Sequence, residues 1–206
     1  MNSTTSNKPF WEHAYQIPTA SVFGKPSAEI IALADKLPSI TAVLDLGCGE
    51  GRNALFLAER GFDVTAVDIS EHGIGKLRSQ AAQRGLQVRA EVADMRRYKW
   101  DREFGLIISH GCLHLIERSA WQHVLEHMKT HTAADGYNVV AVFTDRLAPP
   151  PDLEAFCIGL FREAELFDFY RNWKIESQQS YTIHDEHPGG IRHTHPIDKI
   201  VARKVA

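Results

Sequence analysis

The chain predicts an α/β fold, a doubly wound and mostly parallel sheet, and three observations carry that reading. Short apolar runs alternate with helical segments from about residue 40 onward. A glycine-rich turn joins the first of those runs to a helix. Two β-like runs at the end of the chain flank a Pro-Gly-Gly turn, so the closing strand is expected to lie antiparallel in an otherwise parallel sheet.

In chain order, the first residues hold helical pieces around Phe10 to Gln16 and Pro26 to Leu37. They read as a helical cover, residues 1–40, on one main domain, residues 41–206. Ala42 to Leu46 is an apolar run ending in glycines, as a strand buried on both faces requires. Asn53 to Arg60 has helical composition and is closed by Gly61; Phe62 to Val67 is the next strand, with Asp68 after it. Ser70 suits the cap of a helix that runs to about Arg84 and stops at Gly85, although Gly73 and Gly75 weaken its first turn. Further strands are expected at Leu86 to Val92, Leu106 to Ser109 and Tyr137 to Phe143, with a helix over Arg118 to His131 before the last of them. After Pro149-Pro150-Pro151 comes a helix near Glu163 to Tyr170. The hairpin strands then follow at Trp173 to Ile183 and Thr194 to Val201, around the turn at Pro188 to Gly190.

Bulk properties exclude several classes. The chain has 206 residues, enough for one well-buried domain. A net charge of -3 supplies no basic footprint for nucleic acid. No run approaches the ~20 apolar residues of a membrane span, and Met1 to Asn7 is polar, so neither a membrane nor a signal peptide is expected. Cys48, Cys112 and Cys157 are scattered without CxxC spacing, which suits a reducing cytoplasm better than a disulfide framework.

The most informative segment is Val43-Leu44-Asp45-Leu46-Gly47-Cys48-Gly49-Glu50-Gly51-Arg52-Asn53. Three glycines at alternate positions let the backbone turn sharply and approach a ligand. The helix that opens there offers unpaired N–H groups and a positive dipole end. Asp68, after the second strand, is placed where a carboxylate accepts both hydroxyls of a ribose. The dinucleotide fingerprint GxGxxG would need glycine where Arg52 stands, and no GxxxxGK[ST] phosphate loop is present. A nicotinamide or flavin site, or a tight turn with no ligand, are the weaker alternatives. DxGxGxG from Asp45 to Gly51 instead resembles the S-adenosylmethionine loop of class I methyltransferases. Asp94 and Met95 follow the third strand, where such enzymes hold the adenine, though Asp94 also suits a simple cap of the segment that follows; Ser109-His110-Gly111-Cys112 follows the fourth, at the edge of the crevice where strand order should reverse. No Pro-Pro-aromatic segment follows the fourth strand, against methylation of base amines in DNA.

Leu44 to Ser70, LDLGCGEGRNALFLAERGFDVTAVDIS, resembles the tellurite-resistance, TehB-like branch of those enzymes, and Phe10-Trp11, Tyr15 and the closing His187 to Lys204 extend the similarity. The resemblance implies a single-domain Rossmann-like sheet of seven strands with the last reversed, making residues 41–206 a methyltransferase domain. It also implies a S-adenosylmethionine site of Asp45, Gly47, Cys48, Gly49, Gly51, Arg52, Asn53, Asp68, Ile69, Asp94, Met95 and Ser109, with Tyr15 closing over it. The acceptor it implies is a small molecule: a soft nucleophile such as a thiol or a selenium or tellurium oxyanion, or a natural-product intermediate. An O- or N-methyltransferase of a small metabolite, and a histidine-rich metal-handling protein on the same fold, are the alternatives. The terminal strand, with Arg192, His193 and His195, resembles one lining the acceptor pocket.

Chemically, such a site must hold a nucleophile in line with an activated methyl group. Trp11 and Tyr15 can face the cationic sulfur or serve as plain packing. Where the acceptor must lose a proton, histidine is the natural base, His110 first and His193 and His195 next; a thiolate or selenite needs none. The chain has 11 histidines. His123, His127 and His131 line one stripe of a helix, but opposite the apolar stripe of Trp121, Val124, Leu125 and Met128, so a solvated face is the reading adopted over a metal site. His184, His187, His193 and His195, with Asp185 and Glu186, suit zinc or copper as well as a polar pocket wall; the wall is preferred and no metal is assigned.

Overall fold

The computed structural model describes residues 10–17, 24–187 and 191–205. One sheet of seven strands has the order β3-β2-β1-β4-β5-β7-β6. Its strands are β1 Ala42–Leu46, β2 Asp63–Asp68, β3 Val88–Val92, β4 Phe104–His110, β5 Thr132–Phe143, β6 Lys174–His187 and β7 Ile191–Arg203. The pairs from β3 across to β5 are parallel, and β7 is antiparallel to both of its neighbours. The expected single reversed strand is therefore the last one, seated between β5 and β6. Strand order turns back between β1 and β4, where helices leave to opposite faces and a crevice opens at the strands' carboxyl ends.

Helices α1 Phe10–Tyr15, α2 Ala28–Ala34, α3 Arg52–Glu59, α4 Glu71–Gln83, α5 Arg118–Thr130 and α6 Glu165–Phe169 complete the fold. The helices that cover the sheet do so with the face their sequence spacing dictates. On α5, Trp121, Val124, Leu125 and Met128 are buried at helical spacing. They join Leu166 and Tyr170 in one core against Leu44, Leu46, Val140 and Ile200. On the other face Ile30 and Leu33 of α2, Leu57 of α3 and Ile74 and Leu77 of α4 pack on Val43, Val64 and Ile108. Ser70 caps α4 as expected, its Oγ accepting from the Gly73 amide at 2.9 Å, so the cap offsets the glycines in the first turn.

Two stretches run longer than their composition suggests. β5 begins at Thr132, five residues ahead of the expected start, although Asp135 sits at φ 61 beside Gly136. Thr132 is fully buried and pairs with Phe104 across a register shift, which keeps the strand going through a segment that reads as a turn. The hairpin strands extend to His187 and from Ile191; the Pro188–Gly190 turn lies outside the described residues.

A buried polar chain closes the α5 side of the sheet. Thr132 Oγ1 stands 2.7 Å from Asn138 Oδ1, and Asn138 Nδ2 donates to Tyr170 Oη at 3.0 Å. Tyr170 is wholly buried, so Tyr170→Phe leaves an amide hydrogen without its acceptor. The expected loss is about 1–2 kcal/mol of unfolding free energy, read as a lower urea midpoint at unchanged m.

Candidate functional site

A cleft of about 540 Å³ opens at the carboxyl ends of β1, β2, β4 and β5. Its floor is the glycine turn. Gly47, Gly49 and Gly51 all take left-handed φ, at 72°, 57° and 84°. A Cβ on Gly47 would strike Cys112, one on Gly49 the Tyr15 hydroxyl, and one on Gly51 the Leu77 side chain. The first two glycines thus admit neighbours that wall the cleft, whereas Gly51 faces α4 and is a packing residue outside the lining.

The amides of the turn itself are engaged inside the protein. Gly47 and Cys48 donate to Val67 O at 2.8 and 3.0 Å, and Gly49 donates to Asp68 Oδ2 at 2.8 Å. The other Asp68 oxygen accepts from Ser70 N at 2.8 Å. Asp68 therefore ties the glycine turn to the start of α4 while lining the cleft. Burial raises its pKa and the two amides oppose the shift.

Asp45 lies beneath the turn, 2% exposed. Burial pushes its carboxyl up to about 7, against the favourable charge of Arg52 and a bond from the Ala54 amide. Glu50 is also buried and pairs with Lys76 of α4 at 2.7 Å; Lys76 reaches Ile17 O as well, at 3.0 Å. One lysine thereby fastens the glycine turn to the end of the N-terminal segment. Tyr15 of α1 is buried against Gly49 and Gly73, and burial raises its hydroxyl pKa. Trp11, one turn earlier, meets Phe156 edge-on at 5.6 Å between ring centres.

The remaining nucleoside-side candidates divide. Ile69, 66% exposed, and Met95 line the cleft. Asp94 lines it too, but its carboxylate is clasped by Arg96, with Nη2 at 2.6 Å, and it caps the short 3₁₀ turn Met95–Arg97 through Arg96 N at 2.9 Å. Asn53 Oδ1 accepts from Ser27 N at 3.0 Å and so holds the approach to α2. Ser109 is fully buried beside Cys112 Sγ, outside the lining. Burial pushes the Cys112 thiol up to about 12 and the Cys48 thiol well above its usual value, so neither is a thiolate at neutral pH.

His110 is placed between two partners. Arg52 Nη2 lies 3.1 Å from its Nδ1 and Glu29 Oε1 3.2 Å from its Nε2. An arginine only donates, so Nδ1 is the acceptor and Nε2 carries the proton. Glu29 also binds Lys199 at 3.0 Å, and these bonds hold its carboxyl down at about 2 despite burial. With its basic nitrogen already used and burial lowering its pKa, His110 positions Arg52 and α2 and is not set up here to take a proton.

The acceptor-side candidates also separate. His195 is 3% exposed, lines the cleft and stacks on Phe143 at 4.3 Å. His193 lies behind it and faces Asp152, with Nε2 at 3.0 Å from Oδ1. Arg192 is exposed and outside the lining. His184 contacts Thr194 Oγ1 at 3.0 Å, and the side chains of Asp185, Glu186 and His187 lie outside those described. Among the described residues no group of three or more His, Cys, Asp or Glu is arranged to hold a metal. Trp100 stacks on His127 of α5 and lies tilted against His131 just beyond it, so that stripe is partly covered by an indole.

The family model described as "Tellurite resistance protein TehB" matches residues 7–190. The chain belongs to the TehB family. A relative from Haemophilus influenzae, named probable S-adenosyl-L-methionine-dependent methyltransferase TehB, is 30% identical over 174 residues, 83% of this chain and 60% of that protein. The crystal structure of TehB from the same organism superposes with a TM-score of 0.77 at 27% identity, over 86% of this chain and 62% of the other. This chain thus spans about 60% of the TehB relative it matches. A protein of Mycobacteroides abscessus, named 2-heptyl-1-hydroxyquinolin-4(1H)-one methyltransferase, is 35% identical over 136 residues, 64% of this chain and 58% of that protein.

Within this TehB-family cleft, sequence reasoning missed His114, Phe143 and Glu29. His114 sits on the short 3₁₀ turn Leu113–Leu115 after β4 and stacks on Phe143 at 4.0 Å. The pattern Leu-His-Leu in a loop carries no signal of its own, and only the position four residues beyond His110 could have drawn notice. Glu29, in an ordinary amphipathic helix, reaches the site only through the tertiary fold. No described helix is long and apolar enough to cross a membrane.

Proposed function

We propose that this chain binds S-adenosylmethionine in the cleft and transfers its methyl group to a small-molecule acceptor. The observation that carries this reading is Asp68, a cleft-lining carboxylate locked by the Gly49 and Ser70 amides above a turn whose glycines admit Tyr15 and Cys112. That donor set fits the ligand. Asp68 offers its free lone pairs to ribose hydroxyls, Asp45 in its ionised form pairs with the ammonium of the amino-acid end, and Met95 and Ile69 pack the adenine. Tyr15 and Trp11 shield the sulfur, and Asp94 meets the adenine amino group by sharing its carboxylate with Arg96. Helices α1 and α2 act as the cover that excludes water. When bound, the cofactor supplies an electrophilic methyl group, whose transfer breaks the carbon–sulfur bond with its electron pair staying on sulfur.

The family's description suggests a tellurium oxyanion as acceptor, and a thiol or selenium oxyanion belongs to the same soft class. The Mycobacteroides abscessus relative suggests a hydroxylated natural product. The cleft favours the second, because its cations are committed: Arg96 to Asp94 and Arg52 to Lys25 O and His110. Titration calorimetry with S-adenosylhomocysteine is expected to show one site per chain, with no heat from NAD. Binding of NAD in preference would overturn the reading.

A further inference from the structure

We infer that the acceptor is an apolar ring compound bearing an acidic hydroxyl, held as its anion with the oxygen on the Nε2–H of His114; this rests on the methyl-transfer reading above. Beyond the glycine turn the cleft wall is apolar, built by Leu115, Phe143, Leu153, Phe156, Ile183 and Ile197. Such a wall stabilises a buried hydrocarbon ring by roughly 25 cal/mol per Å² removed from water, and offers nothing to a small hydrated oxyanion.

His114 provides the polar contact. Its Nδ1 accepts from the Phe143 amide at 3.3 Å, which places the ring proton on Nε2. Burial, with the neighbouring His195, pushes its pKa down to about 3, so the ring stays neutral and serves as a donor, not a base. Two other cleft groups do not supply a base readily. His110 has both ring nitrogens engaged, and burial pushes the Cys157 thiol up to about 11. An acceptor ionised in solution needs no base there. It brings no proton to the site, and its negative charge is matched by the sulfonium.

The test uses sinefungin, whose ammonium replaces the sulfonium, and 4-nitrophenol, whose anion is yellow. In the sinefungin-loaded protein 4-nitrophenol is expected to bind as the yellow anion, while selenite and glutathione do not compete. His114→Asn retains an acceptor for the Phe143 amide but loses the Nε2 donor, and should weaken 4-nitrophenol at least about tenfold. His114→Gln, which places a donor near Nε2, should recover part of that loss. Sinefungin affinity and melting temperature report separately on cofactor binding and fold. Failure of sinefungin to bind would overturn the methyl-transfer reading. Normal sinefungin affinity with no 4-nitrophenol binding, competition by selenite or glutathione, or an Asn variant that binds 4-nitrophenol like the native chain, would overturn the acceptor assignment alone.

Discussion

Asp68→Ala is expected to lower affinity for S-adenosylhomocysteine by at least about 100-fold, because each hydrogen bond to a charged group contributes about 1.5–3 kcal/mol and two ribose hydroxyls lose theirs together. The same substitution removes the acceptor of the Gly49 and Ser70 amides, so the floor of the cleft loses its tie to α4. Asp68→Asn separates the two effects. Its amide oxygen keeps one acceptor and should hold one amide while still weakening the ligand, so its affinity falls between native and Ala. Circular dichroism is expected to match the native chain in both variants, and calorimetry reads the affinities. Native affinity in the Ala variant would show that the ribose lies elsewhere.

How far the sequence announced this arrangement depends on the range of the interaction. The turn from Asp45 to Asn53 is legible because glycine at positive φ, a buried strand before it and a helix after it are all local requirements. The reversed last strand is legible from the Pro-Gly-Gly break between two β-like runs. The start of β5 is not, since Asp135-Gly136 has turn composition and the strand persists only because Thr132 is buried against neighbours distant in sequence. At the site, Asp68 follows from its place after β2. The state of His110 does not, because Glu29 is separated from it by 81 residues and no pattern in either segment links them. Asp94 is the intermediate case: both its readings were written in the sequence, and the Arg96 clasp adds to the cap without moving the carboxylate out of the cleft.

Asp45→Asn is expected to stabilise the free protein while weakening the cofactor, and pH separates the two consequences. The native carboxyl titrates near 7 because burial disfavours its charge, whereas in the unfolded chain it titrates at the usual value of 3.8. Near pH 3 the group is largely protonated in both states and contributes little. As pH rises toward 7 the unfolded chain ionises first, so native stability falls, and above 7 the full penalty is present. Asn carries no charge, so it should gain on the order of 1–3 kcal/mol at pH 8 and almost nothing near pH 3. Cofactor binding runs the other way. The ionised carboxylate is the form that pairs with an ammonium, so native affinity should increase as pH rises through about 7. The Asn variant should bind about 10- to 100-fold more weakly at pH 8 and show no such rise. Urea unfolding and calorimetry at the two pH values measure both sides. A variant that loses stability at pH 8, or that keeps the native pH profile of affinity, would mean that Asp45 is held charged by partners within the fold and does not meet the amino-acid end of the ligand.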